Sequence, residues 1–216
     1  MAFKSAAVSF GSVRPKPPLV GAGQRIGLLG GSFNPPHAAH RLITHTALRR
    51  VGLDAVWWVV SPGNPLKSHG DLAPLEKRLT LCEEMAAVDP RIKVTSFEAD
   101  LPSAYTAATL SFLSLRYPEV HFVWLMGADN LVTFHHWQHW RDIASTMPMV
   151  IVDRPNWRHK ALAGPAGRWL APHFINEERA HLLPSLTPPA WTLLTGRLSN
   201  LSSTAIRAAH RKTPTL

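Results

Sequence analysis

Six short apolar runs, spaced by stretches long enough for helices, constrain this chain most. The runs are Arg25-Ile-Gly-Leu-Leu-Gly30, Ala55-Val-Trp-Trp-Val-Val60, Ile92–Phe97, Val120–Met126, Met149–Val152 and Trp191–Leu194. The first fits a buried strand followed by a tight turn, because it is apolar and ends in glycines, and each of the others reads as a strand. Between them, 38–50, 74–88, 104–116 and, more briefly, 137–144 read as helices, with Pro74 at the first helical position. A last helix is expected over Ser202–Ala209. Strands alternating with helices imply right-handed crossovers and a parallel sheet, hence an α/β fold with helices on both faces. Ligands of such folds sit at the carboxyl ends of the strands.

Composition supports one ordered domain over 25–216, preceded by a flexible extension over 1–24. That extension is rich in Pro, Gly and Ser and has no hydrophobic period. Of the 216 residues, 45% are hydrophobic, enough for a sizeable core. No run reaches the roughly 18–20 apolar residues of a membrane span. The N-terminus lacks a continuous apolar signal region, and the single cysteine, Cys82, cannot form an internal disulfide. These features lead us to expect a cytoplasmic protein. Residues 154–190 lack a clear period and read as a long surface excursion.

The net charge of +9 raises the possibility of a nucleic-acid binder. The charge is distributed as +4 over 1–25, −2 over 26–153 and +7 over 154–216. The excess therefore lies at the ends and not in the body of the chain. A nucleic-acid binder also leaves two phosphate motifs without a purpose.

The first is Gly30-Gly31-Ser32-Phe33-Asn34-Pro35-Pro36-His37-Ala38-Ala39-His40. Glycines after a strand let the backbone approach a phosphate. His37 and His40, three apart at a helix start, share one face and can donate to phosphate oxygens as charge develops. The second is Leu201-Ser202-Ser203-Thr204-Ala205-Ile206-Arg207, a cluster of hydroxyls at a helix start followed by a guanidinium. Taken singly, each could be an ordinary cap.

The first motif resembles the (T/H)xGH motif of the nucleotidyltransferase superfamily. Asn34 stands where Asp is frequent and Ala39 where Gly is usual. The second resembles that superfamily's I-S-S/T-T-x-I-R signature. Between them stand Gly63-Asn64-Pro65-Leu66-Lys67, Pro102-Ser103-Ala104-Tyr105-Thr106, Gly127-Ala128-Asp129 with Phe134 and Trp137, and Asp153-Arg154-Pro155. That order resembles the nicotinate-nucleotide adenylyltransferase family over about residues 25–210. The family's PSYT is PSAYT here, with Ala104 extra.

The resemblance implies a Rossmann-like nucleotidyltransferase fold that transfers AMP from ATP to nicotinate mononucleotide. His37 and His40 would be catalytic. Gly30, Gly31, Ser32, Phe33, His40, Gly127, Asp129, Ser202, Ser203, Thr204 and Arg207 would bind ATP. Asn34, Lys67, Tyr105, Thr106, Trp137 and Arg154 would bind the acceptor, with Trp137 stacking on the pyridine ring. Mg²⁺ would accompany ATP, with few protein ligands. The same fold acting on nicotinamide mononucleotide or phosphopantetheine is the alternative. His135 and His139 are spaced for a metal, but the sequence offers no further ligand, so no protein-bound metal is expected.

Overall fold

The computed structural model describes residues 16–63, 72–101 and 105–196. Six strands form one sheet: β1 (Arg25–Gly31), β2 (Ala55–Val60), β3 (Ile92–Thr95), β4 (His121–Gly127), β5 (Met149–Val152) and β6 (Trp191–Leu194). Their order is β3-β2-β1-β4-β5-β6, and every pairing is parallel. β2, β4, β5 and β6 are almost wholly buried, which is why they read as apolar runs, whereas β3, at the edge of the sheet, exposes Lys93.

β1 lies between β2 and β4, with Leu28 beside Trp57 on one side and Trp124 on the other. The chain reverses its direction of winding there, which opens a crevice above the carboxyl ends of β1 and β4. One apolar cluster, with Leu28, Trp57, Trp124 and Phe134, covers one face of the sheet. A second, with Leu29, Trp58, Cys82 and Val150, covers the other. Gly30 is required at the crossing: a Cβ there would collide with the ring of Trp124.

The helices are α1 (Ala38–Ala47), α2 (Leu75–Ala86), α3 (Thr106–Arg116), α4 (Ala128–Thr133), α5 (Trp140–Thr146), α6 (Arg158–Ala163) and α7 (Pro165–Leu170). Several differ from expectation at their ends. α1 gives way to a wider π turn over Leu48–Gly52, where Gly52 takes a positive φ of 71°. Pro74 stands just before α2 as its cap. β3 stops at Thr95, and the chain then turns through a 3₁₀ segment, Phe97–Asp100. α4 was not foreseen. It occupies only 128–133, too short for a period to declare itself.

The expectation for 154–190 needs correction. That stretch is not a mere surface excursion. Ala161, Ala166 and Leu170 are buried in the first cluster, and Ala180 and Leu183 in the second. Its two α-helices are six residues each and pack by small residues, and a 3₁₀ segment, Glu177–Ser185, follows, so they leave no hydrophobic period. At Gly167 the backbone of α7 touches the carbonyls of Ala161 and Leu162, and a Cβ would not fit. At the other end, residues 16–24 lie along the domain. The Lys16 carbonyl accepts from Thr95 Oγ1, Val20 packs on the first cluster, and Gly23 N–H donates to the Glu119 carbonyl. No described helix is long and apolar enough to cross a membrane.

Candidate active site

β1 ends at Gly31, and the chain must turn at once to start α1. Phe33 makes that turn with φ of +45°, a left-handed conformation uncommon for a residue with a side chain. Its ring is buried, 5.3 Å from Trp58 and 4.5 Å from the His40 ring. His37 then stands in the cap position of α1, in extended conformation. Its N–H donates to Nδ1 of His40 at 3.1 Å, and the two imidazoles lie against each other with centroids 3.9 Å apart. Both histidines therefore meet at the head of one helix, directly above the glycine turn.

Burial holds both imidazoles neutral. For His37 desolvation is the main cause and the Arg154 charge adds to it, while Asp129 opposes, leaving a pKa of about 4. For His40 desolvation again dominates, with the His37 and Arg154 charges behind it, giving about 3. These couplings place His37, His40, Asp129 and Arg154 in one electrostatic neighbourhood, although they come from three different strand ends.

Asp129 lies in the first turn of α4, just after β4. One of its oxygens, Oδ2, accepts from Arg154 Nη1 at 2.7 Å. The other, Oδ1, is buried with no hydrogen-bond partner among the described residues. Gly127 lets this pair sit close: a Cβ there would strike Asp129 Oδ1 and crowd Arg154. Asp153 braces the next strand end. It accepts from the Arg154 N–H at 2.8 Å and from Arg158 Nε at 2.9 Å. Beside it, Asp153, Arg154, Asn156, Arg158, His159, Thr195 and Gly196 line an open cavity of about 580 Å³ at the carboxyl ends of β5 and β6.

Tyr105 caps α3 and Thr106 begins it. Trp137 is half-buried, and two rings meet it edge-on: Phe134 at 5.5 Å and Trp124 at 6.5 Å. Trp124 also closes on Gly30, so the aromatic group adjoins the glycine turn. Asn34 is buried, and its Oδ1 accepts from the Ala73 N–H at 3.2 Å. Lys67, Ser202, Ser203, Thr204 and Arg207 lie outside the described residues. Among the described residues, no group of three His, Cys, Asp or Glu side chains could hold a metal ion.

A family model described as cytidylyltransferase-like matches residues 28–209. A protein of Agrobacterium fabrum named "Probable nicotinate-nucleotide adenylyltransferase" is 50% identical over 186 residues, 86% of this chain and 99% of that one. The protein of the same name from Brucella abortus is 49% identical over 187 residues, 87% and 96% of the two chains. The chain belongs to the nicotinate-nucleotide adenylyltransferase family. Its fold is also that of the Plasmodium falciparum nicotinic acid mononucleotide adenylyltransferase solved with NaAD. That likeness has a TM-score of 0.65 at 16% identity, covering 86% of this chain and 83% of the other. The fold is thus the Rossmann-like nucleotidyltransferase fold that the resemblance implies, built on the parallel sheet expected from the strand–helix alternation.

Two buried charged groups near the site were not singled out from the sequence. Arg78, on α2, is 1% exposed and bonded only to backbone carbonyls among the described residues. Its signal was available: Arg78, Cys82 and Ala86 form the buried stripe of α2, so a charge sits where an apolar residue belongs. Glu98 is the other. It accepts from Thr109 Oγ1 at 2.7 Å, and burial pushes its carboxyl up to about 7. Nothing in its local sequence marks it, since its burial depends on α3 packing over it.

Proposed function

We propose that the chain transfers the adenylyl group of ATP to nicotinate mononucleotide, giving nicotinate adenine dinucleotide and pyrophosphate, a step of NAD biosynthesis. An oxygen of the acceptor's 5′-phosphate attacks the α-phosphorus of ATP. The new P–O bond forms as the bond from that phosphorus to the bridging oxygen breaks. Pyrophosphate leaves with the electron pair. No protein nucleophile takes part, so the chain contributes position and charge stabilisation.

The stacked pair of neutral histidines at the head of α1 is the observation that carries this reading. Because His40 Nδ1 accepts from the His37 N–H, the proton of the neutral ring sits on Nε2, the nitrogen left to donate. Such a donor can follow charge as it builds on the α-phosphate oxygens. The head of α1 adds its own partial positive charge. Asp129 Oδ1, buried without a partner among the described residues, suits the ribose hydroxyls of ATP. The cavity beside Arg154 and Arg158 offers guanidinium donors to phosphates. Trp137 would stack on the pyridine, while Tyr105, Thr106 and Asn34 would meet the rest of the acceptor.

Mg²⁺ enters as the companion of ATP. Such an ion would keep several of its waters and be held mainly by phosphates. It would neutralise charge on the leaving pyrophosphate. ATP is supplied in the cytoplasm, where we place the reaction.

The test is steady-state turnover with ATP and each of three acceptors: nicotinate mononucleotide, nicotinamide mononucleotide and phosphopantetheine. The nicotinate compound is expected to give the highest kcat/KM. A higher value for either rival would overturn the assignment of the acceptor.

A further inference from the structure

Arg78 is the most deeply buried charged side chain among the described residues, and none of their carboxylates pairs with it. A guanidinium in that position needs its donors satisfied, or the cost of removing it from water goes unrecovered. The satisfaction comes from four carbonyl oxygens. Nε donates to Ala73 at 2.8 Å. Nη1 donates to Ser32 and to Ser61, both at 2.7 Å. Nη2 donates to Pro62 at 3.3 Å.

Those oxygens belong to three separate pieces of chain. Ser32 is in the glycine turn between β1 and α1. Ser61 and Pro62 leave the end of β2. Ala73 leads into α2. The same junction is tied twice more: Ser61 N–H donates to the Gly31 carbonyl at 2.9 Å, and Ala73 N–H donates to Asn34 Oδ1 at 3.2 Å. Asn34 is therefore held from two directions that both end at Arg78. Its backbone follows Ser32 by two residues, and its side chain is held by Ala73.

We propose that Arg78 is a positioning residue for the acceptor nucleotide: its planar fork clamps the glycine turn to the chain leaving β2 and entering α2, and so sets the orientation of Asn34. The role in catalysis rests on the adenylyl-transfer reading, while the clamp itself does not. A guanidinium is suited to the task because its donors diverge in one plane toward several acceptors. Lysine has a single charged nitrogen and cannot span the same four oxygens.

The test uses the full chain with Arg78→Lys and Arg78→Met. Met149→Ala, at the amino end of β5, serves as a comparison of lowered stability. Amide exchange at Ser61 and Ala73 reads the clamp without reference to activity. Steady-state kinetics reads its effect on each substrate. In Arg78→Lys we expect exchange at both amides to quicken by about 10-fold or more. KM for nicotinate mononucleotide should rise by about 10-fold, with ATP KM moving much less, the scale expected when a binding group is misplaced. Met149→Ala should lower Tm and leave both KM values as they were. Should Arg78→Met fail to fold, Arg78→Lys carries the test.

Unchanged exchange at Ser61 and Ala73 would overturn the clamp. Faster exchange with unaltered KM values, or equal losses for both substrates matching those of Met149→Ala, would overturn the positioning role. If the wild-type enzyme did not use nicotinate mononucleotide, the substrate reading would fall, and the exchange data would still decide the clamp.

Discussion

The backbone N–H of His37 donates to Nδ1 of His40 at 3.1 Å, so the first motif sets the tautomer of its own second histidine. That bond leaves His40 Nε2 as the donor. It also explains why the two residues must be three apart at a helix start: only there is the cap N–H free to turn back onto the third helical residue.

Removing this donor should slow chemistry more than binding. His40→Ala is expected to lower kcat by about 10²-fold or more, the scale for losing one transition-state donor. The far-ultraviolet spectrum should not change. Turnover close to wild type in the purified variant would refute the role given to His40.

Trp137 is held edge-on by Phe134 and Trp124, which leaves its plane fixed. A stacking surface of that kind should matter to the pyridine nucleotide and not to ATP. Trp137→Ala is expected to weaken acceptor binding by about 10-fold, in the range of a single aromatic contact. Calorimetric titrations of each nucleotide would read this, and equal losses for both would argue against stacking.

Glu98 should make stability depend on pH. Its carboxyl is raised by burial from 4.5 to about 7, with the Thr109 hydrogen bond opposing. The folded state thus holds the proton more tightly than the unfolded chain. The contribution of Glu98 is fully present below about pH 4.5 and is lost as pH rises through about 7. Glu98→Gln keeps an acceptor for Thr109 and removes the charge. It should gain stability relative to wild type across that window, by on the order of 3 kcal/mol at most. Urea midpoints at pH 5 and pH 8 would show it. A constant difference between the two proteins would contradict the assignment. His37 and His40, held low by burial, act in the other direction, so only the difference between variants isolates Glu98.

Gly30 and Trp124 should be coupled. Gly30→Ala puts a methyl group into the Trp124 ring and should cost about 1–3 kcal/mol, as overpacking does. In a Trp124→Leu background that cost should largely vanish. A double-mutant cycle by urea unfolding measures the coupling, and simple additivity would mean the clash is relieved elsewhere.

Much of the architecture was legible because it is local. β2, β5 and β6 have the bounds their apolar runs suggested, since a fully buried strand needs nothing but continuous apolar side chains. The two histidines stand out in the sequence only in combination with the preceding strand and the double glycine. What stayed hidden depends on contacts across the chain. Arg78 makes sense only once Ser32, Ser61 and Ala73 come together around it. Glu98 looks like a surface residue until α3 covers it. The small alanines of α6 and α7 become core only through close backbone packing at Gly167.

β1 and β4 are neighbours in the sheet, although β2 and β3 separate them in the chain. His40 belongs to the first of these strand ends and Asp129 to the second. The two halves of the site therefore cannot meet until distant pieces of chain have paired. Such pairing is slow, because a long loop must be closed before any contact compensates for it. The return of activity on refolding is thus a clock for the centre of the sheet. A partly folded chain carrying a finished glycine turn and α1 would remain catalytically silent.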